Sequence, residues 1–376
     1  MNRRRFLRGG LFTLAAMVSG AAWYLHRPVF GKLPTGDRLE RIRRSPHYRN
    51  GQFVCLQPIT RIAKREENLL TVWWKFLFSD KKKLFPSSPI PSRKTAVASI
   101  PKEKECVIWL GHSSFYLQLA GVRILIDPVF SPYASPISLI NAAFPGSNVY
   151  TADDFPEVDV LVISHDHWDH LDFPTVTALR SRVRTTVCPL GVGSYLEQWG
   201  IPPDTIREED WDTEIPISRE LSIHILPSQH FSGRMLKPNQ TEWAGFAFVT
   251  PHRRVFYSGD GGYGAHFESI GKRFGGFDLA LLENGQYNKA WPKVHMMPLE
   301  TALAGVDVRA KAVVPCHSGK FALSHHAWDA PYRELTATSA GKPYRLLTPM
   351  IGECVEIGDN SCSFPPWWEG AVAVRC

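Results

Sequence analysis

From Cys106 onward the apolar positions recur with the short period of β-strands. Cys106–Gly111, Ser114–Leu119 and Val122–Ile126 are predicted strands, with Ala120-Gly121 as the hairpin turn between the last two. Val158, Val160, Leu161, Val162 and Ile163 form a nearly continuous apolar run, the mark of a strand covered on both faces. The period then lengthens, predicting a helix over Phe173–Arg182. Further strands are predicted near Thr185–Cys188, Leu221–Leu226, Trp243–Thr250, Val255–Ser258, Leu279–Leu282 and Ala312–Val314. Helices fit Gly193–Trp199, Phe267–Phe274 and Pro298–Val306, and no internal repeat is present.

Before residue 105 the pattern is different. Residues 1–25 join a basic start to an uncharged apolar stretch, Gly9–Leu25, which is the layout of an export signal or membrane anchor. The segment Asn2–Arg8 resembles a twin-arginine export signal, with Asn where Ser or Thr is usual. Its charges favour an N-in orientation and place the body in the periplasm or on the outer face of a bacterial inner membrane. Residues 26–104 are expected to pack on the body as a basic tether (26–50), a helix over Ile62–Phe78 carrying Trp73, Trp74 and Phe76, and a Pro-rich linker over Ser79–Lys104. Residues 105–376 form the expected catalytic domain.

Charge changes the picture once it is located. The chain has a net charge of +7, but residues 1–50 hold 11 Lys or Arg against 2 Asp or Glu. The body is therefore slightly acidic, which argues against nucleic acid as a partner and for a cationic start beside anionic lipid. Seven cysteines form no CxxC pair, and an odd number cannot be fully paired within the chain. Most read as small buried hydrophobes, with Cys354 and Cys362 open to pairing in an oxidising compartment.

The chemistry is concentrated in VDVLVISHDHWDHLD, Val158–Asp172. His165, His167, Asp169 and His170 follow directly on the buried run, at the carboxyl end of a strand. Imidazole and carboxylate ligands suit zinc and related ions at about 2.0–2.2 Å. In extended backbone residues two apart point the same way, so His165 and His167 can reach one ion, whereas Asp169 and His170 come after the turn and suggest a second. Three later candidates also follow strands: His230, Asp260 and His317. Asp127 ends a strand too, where a carboxylate that orients a ligating histidine would stand.

This pattern resembles the metallo-β-lactamase superfamily. WLGHSSFYL (Trp109–Leu117), ILIDPVF (Ile124–Phe130), PSQHFSGR (Pro227–Arg234), YSGDGGYG (Tyr257–Gly264), RFGGFDLA (Arg273–Ala280) and CHSGKFALSHHAW (Cys316–Trp328) together resemble its N-acyl-phosphatidylethanolamine-hydrolysing phospholipase D branch, over about residues 41 to 360. The resemblance implies an α/β fold, a four-layer αββα sandwich, and two divalent ions, zinc first, with manganese or iron as alternatives. It assigns His165, His167 and His230 to one ion and Asp169, His170 and His317 to the other, with Asp260 bridging both. It also places His112 near the site without binding metal and His295 as a substrate or proton contact; His325 and His326 read as residues around the site or on the surface. Asp260, Asp169 and His295 are the candidate catalytic residues. Glu283–Tyr287 departs from the branch in being more polar than an acyl-chain wall.

These observations predict a binuclear hydrolase in which a metal-bridging hydroxide attacks a phosphodiester, the expected substrate being a glycerophospholipid at a membrane surface. No Gly-x-Ser-x-Gly is present to supply a serine nucleophile. The alternatives are a sugar-phosphate lactonase of the same superfamily and an envelope-anchored binding protein with a structural metal. Seven candidate ligands for two ions leave open positions, which favours catalysis over a closed structural site.

Overall fold

The computed structural model describes residues 19–20, 22–59, 82–138, 140–234, 237–289 and 291–370. A small hairpin, β1 (Tyr48–Arg49) and β2 (Gln52–Phe53), precedes two mixed seven-stranded sheets. The first holds β3 (Cys106–Trp109), β4 (Phe115–Leu119), β5 (Val122–Ile126), β6 (Val158–Val162), β7 (Val183–Pro189) and β8 (Ile206–Glu209). The second holds β9 (Glu214–Pro216), β10 (Ser222–Leu226), β11 (Gly245–Val249), β12 (Arg254–Tyr257), β13 (Leu279–Glu283), β14 (Ala312–Cys316) and β15 (Arg345–Leu346). Strand β16 (Cys354–Glu356) returns to the first sheet beside β3. Both sheets begin as antiparallel meanders and become parallel, at β5–β6 and at β12–β13. Parallel strands end on one edge, and ligands in α/β sheets collect outside such carboxyl ends.

Side-chain alternation along the strands builds the layers. Val160 and Val162 of β6 meet Ile223, Phe246, Tyr257 and Leu281 of the other sheet in a shared core. Leu161, with Ile163 just beyond the strand, points the opposite way, into a cluster with Val176 and Leu179 of the helix Phe173–Leu179 and Tyr195 and Leu196 of Gly193–Gln198. Phe256, Ala280 and Val313 likewise face Phe267, Ile270 and Ala304 on the helices His266–Phe274 and Pro298–Asp307. The result is an α/β fold in four layers, helix, sheet, sheet, helix. The Ala120-Gly121 turn has φ of 49° and 73°, the left-handed pair that a two-residue hairpin needs.

Several expectations change. Residues 26–50, expected to lie on the body as a basic tether, carry the helix Gly36–Arg44, which the sequence reading did not include. Arg38 reaches Glu208 at 2.7 Å and Glu197 at 2.8 Å, and Ile42 and Phe53 enter the inter-sheet core. Part of the amino-terminal positive charge is thus turned toward the protein's own carboxylates. Among its described residues the Pro-rich stretch holds only short turns and packs on the body, with Ile90 and Val97 buried and Ser92 bridging to Ile351. Strands β8, β9, β15 and β16 and the helix Ala330–Ser339 were not predicted; the first four are short edge or near-edge strands with little periodic signal. Cys354 and Cys362 are separate thiols, Cys362 donating to Asp359. Arg3, Arg4, most of the apolar stretch and the helix expected over Ile62–Phe78 lie outside the described residues. Among the described residues no helix is long and apolar enough to cross a membrane.

Candidate metal centre

The strand ends bring together every histidine and aspartate expected at the site. His165 Nε2 lies 2.9 Å from His167 Nδ1, and His230 Nε2 lies 3.2 Å from the same atom. Three imidazole nitrogens that close would sit about one tetrahedral edge apart around an ion held at 2.0–2.1 Å. Asp169, His170 and His317 form a second cluster with His112. Asp260 stands between the two. Its Oδ2 lies 3.9 Å from His165 Nε2, 3.9 Å from His230 Nε2 and 3.1 Å from His170 Nε2, while its Oδ1 lies 3.1 Å from His317 Nδ1. His170 Nε2 and Asp260 Oδ1 are buried without a hydrogen-bond partner. Buried polar atoms are almost always partnered, so these orphans fit a pair of cations.

Supporting residues fix which nitrogen each ring turns inward. His165 Nδ1 faces Ser164 Oγ at 2.9 Å, His230 Nδ1 donates to the Val294 carbonyl at 3.2 Å, and His170 Nδ1 lies 2.8 Å from Asp127 Oδ2. In all three the Nε2 is left for an ion. Asp127, fully buried, also accepts from the Ser164 N–H and the Tyr257 hydroxyl, both at 2.7 Å. Ser113 Oγ lies 3.1 Å from His317 Nδ1, and His112 Nε2 lies 2.8 Å from Asp169 Oδ2, so His112 adjoins the site through a carboxylate. His112, Asp127 and His317 have φ of 53°, 41° and 62°, a left-handed backbone that costs energy and persists where the surroundings impose it.

Electrostatics follow from crowding. Burial and the neighbouring imidazoles push His165, His230 and His317 well below the usual histidine range. Burial brings His167 down to about 4. Burial would lower His170 as well, but Asp260 and Asp169 outweigh it and raise that ring well above its ordinary value. Burial pushes Asp260 up to about 6 despite His170, whereas for Asp169 the pull of His170 and His112 overcomes burial and holds the carboxyl low. Deprotonated imidazoles are the form that binds metal.

Above the cluster a cleft of about 250 Å³ is walled by Phe231, Trp291, Val294 and Leu323, with His167, Asp169, Asp260, Gln286, His295 and His317 at its floor and rim. His295 stacks on His317 with ring centroids 4.9 Å apart, and its Nδ1 stands 3.5 Å from the fully buried Glu283. The polar stretch at Glu283 is largely not a wall of the cleft. Glu283 accepts the N–H groups of Gly285 and Met296, Asn284 donates to Pro331, and Gln286 ties down the carbonyls of His317 and Phe321. His326 accepts from the Gln286 N–H at 2.8 Å, and His325 is exposed. Sequence reasoning missed Ser113, Ser164, Tyr257 and Glu283, whose roles come from contacts across strands. It also missed the apolar wall, assembled from loops far apart in the chain.

Fold and site together define a metal-dependent hydrolase, and the chain belongs to the β-lactamase superfamily, whose domain model matches residues 122–318. A curated protein of Mycobacterium tuberculosis, uncharacterised, is 38% identical over 86% of this chain and 87% of its own length. An N-acyl-phosphatidylethanolamine-hydrolyzing phospholipase D of Caenorhabditis elegans is 31% identical over 75% of this chain and 84% of that protein. Among solved structures, a metallo hydrolase of the archaeon Ignicoccus hospitalis shares the fold with a TM-score of 0.52 and 21% identity, over 67% of this chain and 97% of that one.

Proposed function

We propose that this hydrolase is a phosphodiesterase acting on glycerophospholipids, cutting on the headgroup side to release phosphatidic acid. The observation that carries the reading is the apolar cleft of Phe231, Trp291, Val294 and Leu323 opening directly onto Asp169, Asp260, His295 and His317. A lipid offers both an apolar portion for such a wall and an anionic diester for such a floor. The 31% identity to a protein named for this activity supports the same substrate class.

His165, His167 and His230 would hold one divalent ion, Asp169, His170 and His317 the other, with Asp260 between them. The nitrogen-rich set suits zinc best, with manganese or iron as alternatives. Two ions held there supply an acidified water and positive charge opposite the charge developing on phosphorus. The remaining work falls to the chain. Asp260, raised to about 6 by burial, is placed to accept and return a proton at its carboxylate. His295 lines the cleft, and its ring can donate a proton to the departing oxygen, with Glu283 behind Nδ1. The apolar wall excludes water from one side of the reacting diester.

Location belongs to the same reading. The Arg3-Arg4 start and the apolar stretch support export and retention at the outer face of the inner membrane, so changing both arginines to lysine should leave the protein in the cytoplasm. The substrate test is incubation of zinc-loaded protein with mixed phospholipid vesicles, with lactones and with bis-p-nitrophenyl phosphate, followed by mass analysis of products. Phosphatidic acid formed by the wild type and not by Asp260→Asn is the expected result. Turnover of lactones without lipid cleavage would move the assignment to a lactonase.

A further inference from the structure

The ligand loop His165–His170 is braced from behind by a part of the chain that the proposed chemistry does not use. Trp168, between His167 and Asp169, lies under the guanidinium of Arg234 at 3.7 Å. Arg234 is nearly fully buried and donates through Nη1 to the carbonyls of Leu171 at 2.6 Å, just after the loop, and Asp166 at 3.3 Å, within its start. Its Nε donates at 3.0 Å to the carbonyl of Val29, which belongs to the amino-terminal arm. The Asp166 carboxylate, meanwhile, accepts from the Gly233 N–H at 2.8 Å and the Tyr195 hydroxyl at 3.1 Å.

The arm itself is built into the body. Phe30 packs its ring edge-on to Trp168 with centroids 5.4 Å apart, Trp199 Nε1 donates to the Pro28 carbonyl at 2.7 Å, and the Tyr24 hydroxyl donates to the Pro136 carbonyl at 2.9 Å. Gly31 is pressed against Tyr195 so closely that a Cβ there would fall 1.8 Å from the ring, and its φ of +73° admits little but glycine. Tyr24 in turn packs on Phe30 at 5.4 Å. The arm therefore reaches the backbone that aims His167 and Asp169 by two contacts that converge on Trp168, Phe30 against its ring and Val29 through Arg234.

We propose that the arm Tyr24–Gly31 is a positioning element of the metal centre, acting through Trp168 and Arg234 to hold the ligand loop, so that displacing the arm loosens the grip on metal. The inference rests on the ligand assignment above.

The test is zinc affinity of the full-length protein, read by competition with a chromophoric chelator, for wild type, Phe30→Ala, Arg234→Ala and the double variant. Residues that orient metal ligands typically change affinity by about 10–100-fold. Phe30→Ala should weaken zinc binding by about 10-fold and Arg234→Ala by more. The double variant should lose less than the product of the two single losses, because Phe30 and Arg234 both act on Trp168. Unchanged affinity in Phe30→Ala, or losses that multiply in the double variant, would overturn the role of the arm while leaving the metal centre standing. A wild type that binds no zinc, manganese or iron would sink both.

Discussion

Replacing Asp127 by asparagine isolates one hydrogen bond behind one ligand. With its Oδ1 kept on the Ser164 N–H, the new amide must place its NH₂ where Oδ2 meets the Tyr257 hydroxyl, the Ser164 hydroxyl and His170 Nδ1. The two hydroxyls can rotate and accept from that NH₂. The imidazole cannot adapt so easily: to accept at Nδ1 it must carry its proton on Nε2, the nitrogen that faces Asp260 at 3.1 Å and would bind metal. The loss is thus one hydrogen bond to a charged acceptor, about 1.5–3 kcal/mol. At about 1.4 kcal/mol per factor of ten this is about a 10- to 150-fold weaker ion at the site served by His170. Chelator competition should resolve two zinc affinities in the wild type and shift one of them in Asp127→Asn. If both affinities stay within about threefold of wild type in a folded variant, the account of Asp127 as the residue that sets the His170 tautomer is wrong.

Other outcomes follow from the same geometry. A Cβ at Gly285 would fall 2.1 Å from the His317 carbonyl, so Gly285→Ala must move the ligand's backbone; a loss of about 1–3 kcal/mol in urea unfolding and reduced zinc content are expected, and a wild-type unfolding midpoint would refute it. His165, His167, His230 and His317 have folded pKa values below the unfolded value, so below about pH 6.5 the unfolded chain binds more protons at each. The metal-free protein should therefore lose stability as pH falls from about 6.5 toward 4. His170, shifted upward, contributes stability that is already fully present below about pH 6.5 and does not change the trend, whereas Asp260, raised to about 6, takes up its proton first in the folded state and offsets part of the loss. Thermal unfolding across that range with chelator present checks the sign, and rising stability would contradict it. If His295 protonates the leaving oxygen, His295→Gln should lower kcat by about 100-fold or more on alkyl phosphodiesters and far less on p-nitrophenyl esters, which leave without help. Equal losses on both would remove that role.

The sequence alone determined the sheet strands that feed the site and the residues at their ends. Val158–Ile163 announces a strand covered on both faces, and HDHWDH after it announces metal chemistry, because density and spacing of ligand types are local properties of the chain. Ala120-Gly121 was legible for the same reason, since a two-residue hairpin makes demands only on its own backbone. Tertiary structure decided everything that depends on what faces what. The basic stretch at 26–50 reads as lying on the body, but that Arg38 meets Glu197 and Glu208, more than 150 residues away, is decided only by the fold. Asp127 could be placed at a strand end from sequence, but only the parallel pairing of β5 and β6 puts its carboxylate beside Ser164 and His170. The apolar wall of the cleft and the Phe30–Trp168–Arg234 brace have no local signature at all. Periodicity reports how a segment is buried, and the identity of the neighbour that buries it is set only when the two sheets close on one another.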